Sequence, residues 1–503
     1  MNAKMKTAIS NVIKEAEHVC VTADIWTGGK RSFFGMTAHI INQLLERVSF
    51  ALACGRFKGT HSYDRIAERI NNILTEYEIP QAKIICAVTD NGSNFVKAFK
   101  EFGPHNTRLT TEVDTAVDGD ASEEDVDSDK EQSDDDDDEE ELQFQTLPQN
   151  LTTLPNHHRC ASHTLNLMAK EYSIRIPAGE GDKNYTKVFR STMAKFSALW
   201  TKTSSPKSAE IVQRVANTQL RTPNETRWNS TYDAIAKLIK VKAHLDQLCV
   251  ELNIPKFKKQ ELEFAEKYQS AMKPIAVAVD ILQGESAESK PGRNYMGTLA
   301  PSILSVNFEL KSMLSNPNFD LVKPLLKALC LGIETRFADI IQLDLNNPAF
   351  KNLALTSVSH PYFKLRWVPP EILHSVKMMF LTEAANFTDT VPEAFTAAKP
   401  STSRFFKFPS QQATVQPIEN AIELEALQYL QNPDETLQIF DRYPTIKKIF
   451  IKFNTPLPSS APVERLFSYS GMILSPKRRR TQGEIFEQLV LLKYNNIQEA
   501  TID

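Results

Sequence analysis

The sequence predicts an α/β sheet domain interrupted by a long all-helical module. Three observations point there. β-Branched and aromatic runs crowd residues 18–57, and a helix and a further strand follow by residue 90. From 232 to 455 the apolar residues recur at helical spacing. Glycine is scarce, 16 of 503 residues against a typical ~7%, which argues against a Gly-rich barrel or propeller.

In HVCVTADIW, Val19, Val21 and Ala23 alternate with Cys20, Thr22 and Asp24, the period of a strand. Gly28-Gly29 supplies a turn, and SFFGMTAHIINQ and RVSFALACGRF complete a three-stranded meander. Over 62–79, Ile66, Ile70, Ile73, Leu74 and Tyr77 fall on one helical stripe that Pro80 ends. KIICAVTD (83–90) is continuously apolar, as in a strand buried on both faces, and NGSNFVKAFKEF reads as a turn and helix. The order β-β-β-α-β-α is that of a ribonuclease-H-like fold. Its helical crossover returns the fourth strand parallel to the first.

The expected organisation has six parts. Residues 1–103 hold the first part of the core. Residues 104–156 form an acidic segment read as disordered, because it buries no apolar surface and repels itself. Residues 157–231 continue the core, 232–385 form the helical insertion, the Pro/Ser/Thr-rich 386–417 is a linker, and 418–503 ends the core.

The net charge of −4 conceals a strong asymmetry. Residues 112–141 contain 18 Asp or Glu and one Lys, which leaves a net of +13 on the rest of the chain. A basic body suits a polyanionic partner, and the acidic run is read as a solvated loop or as a site for basic or chromatin partners. No stretch reaches the ~18 apolar residues of a membrane span, and no signal-peptide core precedes Lys14 and Glu15, so no membrane partner is expected. The six cysteines are dispersed with no CxxC pair, which reads as reduced thiols in a cytosolic or nuclear protein.

Asp24 and Asp90 end the first and fourth strands. As parallel neighbours they would set two carboxylates side by side, costly without a divalent cation and suited to two-metal phosphoryl transfer with Mg²⁺ or Mn²⁺. The alternative is that each Asp only caps the turn after it. Cys160 and His163 at i, i+3 would share a helix face as half a zinc site, or pack structurally; no second pair is present. In NETRWNSTYD, Arg227 and Trp228 read either as packing or as a phosphate grip and a stacking platform for an unpaired base. In PSSAPVERLFSYSGMILSPKRRR, Glu464 stands near a helix start, where a negative charge is favoured. The run Lys477, Arg478, Arg479 and Arg480 reads as a solvated turn, a phosphate contact or a nuclear-import signal. The last helix carries Ile485, Phe486, Leu489 and Leu492 on a broad apolar face, suited to a subunit interface or to full burial.

Taken in order, TADIWT, VTDNGSN, RCASHTLNL, TRWNSTYD and PSSAPVERLFSYSGMILSPKRRR resemble the hAT superfamily of DNA transposases and the BED-zinc-finger proteins domesticated from them. The resemblance runs from about residue 18 to 496. It implies a ribonuclease-H-like catalytic core interrupted by a large helical insertion, ending in a hAT dimerisation region that includes Ile485, Phe486, Leu489 and Leu492. It implies Asp24, Asp90 and Glu464 as metal-holding catalytic acids, and Cys160 and His163 beside them. Arg227 and Trp228 would hold a flipped base, and DNA and a second copy of the chain would be the partners, in the nucleus. The reaction would be cut-and-paste strand cleavage and transfer. Two departures stand beside it: the acidic run, and the 23 residues before Asp24, too few for a BED zinc finger. They favour a second expectation, a domesticated and catalytically inactive regulatory protein. An unrelated ribonuclease-H-like nuclease would share the acids but leaves the Arg-Trp and C-terminal motifs unexplained.

Overall fold

The structure of the chain, a computed structural model, describes residues 2–28, 31–104, 153–176, 182–220, 222–223, 228–284, 294–387, 417–474 and 483–499. Over these residues the protein is mixed α/β and mostly helical, with eighteen α-helices and one five-stranded sheet.

Helix α1 (Asn2–Glu15) leads into strands β1 (Val19–Gly28), β2 (Arg31–Ile41) and β3 (Arg47–Arg56). Helix α2 (Tyr63–Glu76), β4 (Ile84–Thr89), α3 (Ser93–Phe102), β5 (His157–Arg159) and α4 (Ala161–Arg175) follow. The sheet order is β3-β2-β1-β4-β5. The pairs β1/β2 and β2/β3 are antiparallel, and β1/β4 and β4/β5 are parallel. The meander, the α2 stripe and the parallel return of the fourth strand therefore form as expected. Two elements go beyond that reading. Helix α1 buries Met5, Ile9 and Ile13 at four-residue spacing; it is tied to the end of α2 by the Lys6–Glu76 pair and to the turn after it by the Lys14–Glu78 pair. Strand β5 is only His-His-Arg, and it exists because Ala87, Val88 and Thr89 present an open ladder to it.

The helical part comprises α5 (Lys183–Thr203), α6 (Pro206–Ala216), α7 (Trp228–Lys240), α8 (Leu245–Glu251), α9 (Lys259–Gln283), α10 (Leu299–Leu314), α11 (Lys323–Arg336), α12 (Ala338–Ile341), α13 (Pro348–Ser359), α14 (Leu373–Asn386), α15 (Pro417–Gln431) and α16 (Pro444–Asn454). Two more helices, α17 (Ala461–Ile473) and α18 (Gly483–Glu499), return to the sheet. One apolar cluster runs from Ala161 to Ile340 without a break near residue 232, so α4, α5 and α6 pack with the helices assigned to the insertion. A second cluster gathers α13–α16 with Ile41 and Leu45 at the end of the β2–β3 hairpin. The third is the sheet's own core, completed by Val463, Leu466 and Phe467 of α17 and by Phe486, Val490 and Leu491 of α18. The acidic segment (apart from 104 and 153–156) and the linker (apart from 386, 387 and 417) lie outside the described residues.

Helix α18 closes the exposed edge of the sheet. On β3 the Cys54 N–H donates to Glu487 at 3.0 Å, while Asn495 accepts the Ala51 N–H at 2.9 Å and donates to the Ala51 carbonyl at 3.0 Å. Covering edge-strand groups in this way prevents the strand from pairing with another chain.

Candidate functional site

The β1–β4 register places Ala23 beside Thr89, so Asp24 and Asp90 are the next residues on neighbouring parallel strands. Asp24 is half-buried, and its carboxyl is held well above the usual aspartate range. Burial is the main cause; the charge of Asp90 and, less strongly, that of Glu464 push the same way. The Ile25 N–H donates to Asp24 Oδ1 at 2.7 Å and opposes the shift. Asp90 Oδ1 accepts the Gly92 N–H at 3.0 Å, so Asp90 also shapes the turn into α3.

Glu464 reaches the pair because α17 is seated on the sheet by a missing side chain. Gly35 of β2 is the register partner of Asp24. A Cβ there would lie 2.5 Å from the Phe467 ring and 2.8 Å from Val463, so only glycine lets α17 come this close. Glu464 sits in the first turn of α17, half-buried, at the positive end of the helix.

Cys160 fixes where α17 begins. Its N–H donates to the Thr89 carbonyl at 2.8 Å. Its sulfur accepts the His163 N–H and the Ser460 N–H, each at 3.3 Å, and the Ala161 N–H donates to the Pro458 carbonyl at 3.0 Å. Cys160 is fully buried, its thiol is pushed up by burial, and its sulfur serves as a hydrogen-bond acceptor at a three-way junction. His163 is half-buried in the first turn of α4.

Arg227 lies outside the described residues. Trp228 opens α7, and its side chain is also outside them. The next residue fixes the motif's place: Asn229 Nδ2 donates to Asp280 Oδ1 at 3.1 Å, on the last turns of α9. Three residues on, the Gln283 carbonyl accepts Arg465 Nη1 at 3.1 Å. The start of α7 is thus tied through the end of α9 to the residue beside Glu464. The basic run Lys477–Arg480 lies outside the described residues.

The apolar face of α18 divides. Phe486 is 2% exposed and packs on Phe33 with ring centroids 5.0 Å apart, and Leu492 is half-buried against the same core. Phe486 is thus spent within the subunit, which corrects its assignment to a dimer interface, while Leu492 keeps part of its surface exposed. Ile485 (49% exposed) and Leu489 (42%) face outward, four residues apart.

Sequence reasoning did not single out Gly35, Arg465 or the interior polar chain across the sheet. In that chain Thr22 Oγ1 meets Thr37 Oγ1 at 2.6 Å, Thr37 meets His39 Nε2 at 2.7 Å, and His39 Nδ1 meets Ser49 at 2.8 Å. A glycine in the middle of the run SFFGMTAH was the available signal for the first. Nothing in spacing alone marks the other two.

Carboxylate oxygens of net negative charge are the donors a hard divalent cation takes, and such a cation would relieve the repulsion that adds to burial in pushing Asp24 up. Even so, no group of three or more His, Cys, Asp or Glu among the described residues is drawn together closely enough to hold a metal ion. The three acids form an electrostatic cluster, not a closed coordination shell. No helix among the described residues is long and apolar enough to cross a membrane. No family model matches the chain, and no curated protein matches it.

Proposed function

We propose that the chain is a hAT-superfamily DNA transposase, or a protein descended from one, built on a ribonuclease-H-like core. It binds DNA in the nucleus and self-associates through its C-terminal region. The observation that carries this reading is the β1–β4 register, which sets Asp24 and Asp90 on adjacent parallel strands, with α17 and its Glu464 packed over the same sheet. The sheet order, with a parallel fourth strand beside the first, supports the core assignment. The order of the five sequence motifs supports the family.

Asp24, Asp90 and Glu464 would hold Mg²⁺ or Mn²⁺, which when bound activates the attacking oxygen and stabilises the leaving one. The protein's own part is placement. Gly35 and Cys160 set α17, and with it Glu464, against the sheet. The Asn229–Asp280 and Arg465–Gln283 bonds tie the start of α7 to the start of α17. In this reading Arg227 grips a phosphate and Trp228 stacks on an unpaired base. Lys477–Arg480 adds phosphate contacts whose strength falls with salt.

Asp90→Asn tests the catalytic assignment. Mn²⁺-dependent cleavage of a DNA end substrate is expected to disappear while self-association is unchanged; cleavage equal to that of the unaltered chain removes the assignment.

The absence of a convergent ligand group among the described residues favours a second reading: a domesticated protein that keeps the scaffold for chromatin work and cuts nothing. In that reading the acidic run 112–141 engages basic chromatin partners. It predicts no cleavage by the unaltered chain with either metal.

A further inference from the structure

Cys20 and Cys86 face one another across the β1–β4 ladder. They are register partners, their sulfurs are 3.8 Å apart, and both are fully buried. Val88 and Leu457 complete the small apolar cell around them. Each stands four residues before an acid of the site, Cys20 before Asp24 and Cys86 before Asp90. All six cysteines are free thiols, and the others are differently employed: Cys54 meets the Ser470 hydroxyl at 3.1 Å, and Cys160 accepts two backbone N–H groups.

Geometry permits a bond between the two sulfurs. Neighbouring strands run ~4.8 Å apart, inside the ~4.4–6.8 Å between α-carbons that a disulfide spans. The sulfurs must close from 3.8 Å to ~2.05 Å. The two thiols are also unequal. Burial pushes Cys20 up, but the Cys86 thiol, the Leu457 N–H and the nearby Arg47 guanidinium outweigh it and hold Cys20 below the usual thiol range. Cys86 is pushed well up by its bond to Cys20 and then by burial. The Leu457 N–H bonds to the Cys20 sulfur, which makes Cys20 the attacking sulfur of the proposed reaction and Cys86 the resolving one.

We propose that Cys20 and Cys86 are an oxidative modification site, a dithiol that a small hydroperoxide closes into a disulfide between β1 and β4. The Cys20 sulfur attacks a peroxide oxygen and the O–O bond breaks. This leaves a sulfenic acid on Cys20, and the departing hydroxide takes up the thiol proton as water. The Cys86 sulfur then attacks the Cys20 sulfur and the S–O bond breaks. The hydroxyl leaves with the Cys86 proton as a second water. Two thiols are oxidised by two electrons in all, and one peroxide is reduced to two waters. The link would fasten β1 and β4 four residues before Asp24 and Asp90, which follow the last paired residues of their ladder. It does not depend on the DNA reaction.

The experiment treats the full chain, folded by circular dichroism, with hydrogen peroxide in metal-free buffer. Remaining thiols are alkylated after unfolding and peptides are mapped without reduction. The expected product is one cross-linked peptide pair joining Cys20 to Cys86, reversed by dithiothreitol. In Cys86→Ser the expected product is a dimedone adduct on Cys20 and no cross-link. Alkylated Cys20 and Cys86 at a peroxide dose that oxidises other thiols would overturn the proposal. So would a link from either residue to Cys54 or Cys160.

Discussion

The Cys160 sulfur accepts the Ser460 N–H at 3.3 Å, a contact between residues 300 positions apart. The same buried residue takes the His163 N–H on its sulfur and gives its own N–H to the Thr89 carbonyl. One residue therefore joins the end of β4 through its backbone and, through its sulfur, the start of α4 and the approach to α17. Cys160→Ala would leave two N–H groups without that acceptor. A loss of ~1–3 kcal/mol is expected, the penalty for a buried group left unsatisfied. Urea unfolding with an unchanged m-value measures it, and a loss below ~0.5 kcal/mol would assign the junction to the backbone bonds alone.

Gly35→Ala addresses the other contact that seats α17. The new methyl would stand 2.5 Å from the Phe467 ring. Overpacking of this kind costs ~1–3 kcal/mol, and adding Phe467→Ala should recover part of it. A double-mutant cycle checks the coupling; additive losses would show that the Gly35 site relaxes without moving α17.

The particular residues show why some of this was legible and some was not. The stripe on α2 reports burial directly, because a side chain's direction follows from the period. Alternation marks β1 as a strand but not its burial, since Val19 through Ala23 are buried on both faces, and β1 runs on to Gly28, which corrects the expectation that Asp24 ends it; Asp24 stands where the β1–β4 ladder ends, and Asp90 follows the last residue of β4. Strand β5 could not be read: His157, His158 and Arg159 carry no apolar pattern, and their pairing is imposed by β4. What the helices on either side of residue 232 pack against was hidden for a related reason. The cores of α4, α5 and α6 are filled by later helices, and periodicity says a helix is buried without saying against what. Glu464 has no local signature beyond its place at a helix start, so its approach to the two aspartates came from resemblance alone.

Two half-buried histidines predict an acid-side slope in stability. Burial lowers His158 and His360 from the ordinary ~6.5 to about 4. The unfolded chain therefore binds more protons than the folded one between these values. Stability is expected to be complete above pH ~6.5, to fall as pH drops toward 4, and to level off below. Each histidine contributes up to about 3 kcal/mol on this scale. His360→Asn, which keeps an acceptor for the Tyr362 N–H, should flatten the slope between pH 7 and 4.5 in urea unfolding. An unchanged slope would place the titration elsewhere.

Helix α18 separates two roles that the apolar pattern merges. Phe486 fills its own core between Phe33 and the sheet, so Phe486→Ala should cost ~3–5 kcal/mol whether or not the chain associates. Ile485 and Leu489 are about half exposed and share one side of the helix. Changing both to Asp should leave the unfolding midpoint of a dilute sample within ~0.5 kcal/mol of the unaltered chain, because surface positions rarely cost more. If these two side chains anchor the proposed self-association, the double variant sediments as a monomer at concentrations where the unaltered chain is a dimer. The association belongs to another surface if the double variant remains dimeric. It is absent altogether if the unaltered chain is itself monomeric by light scattering, and then the exposed pair on α18 is ordinary apolar surface of the kind every folded chain carries.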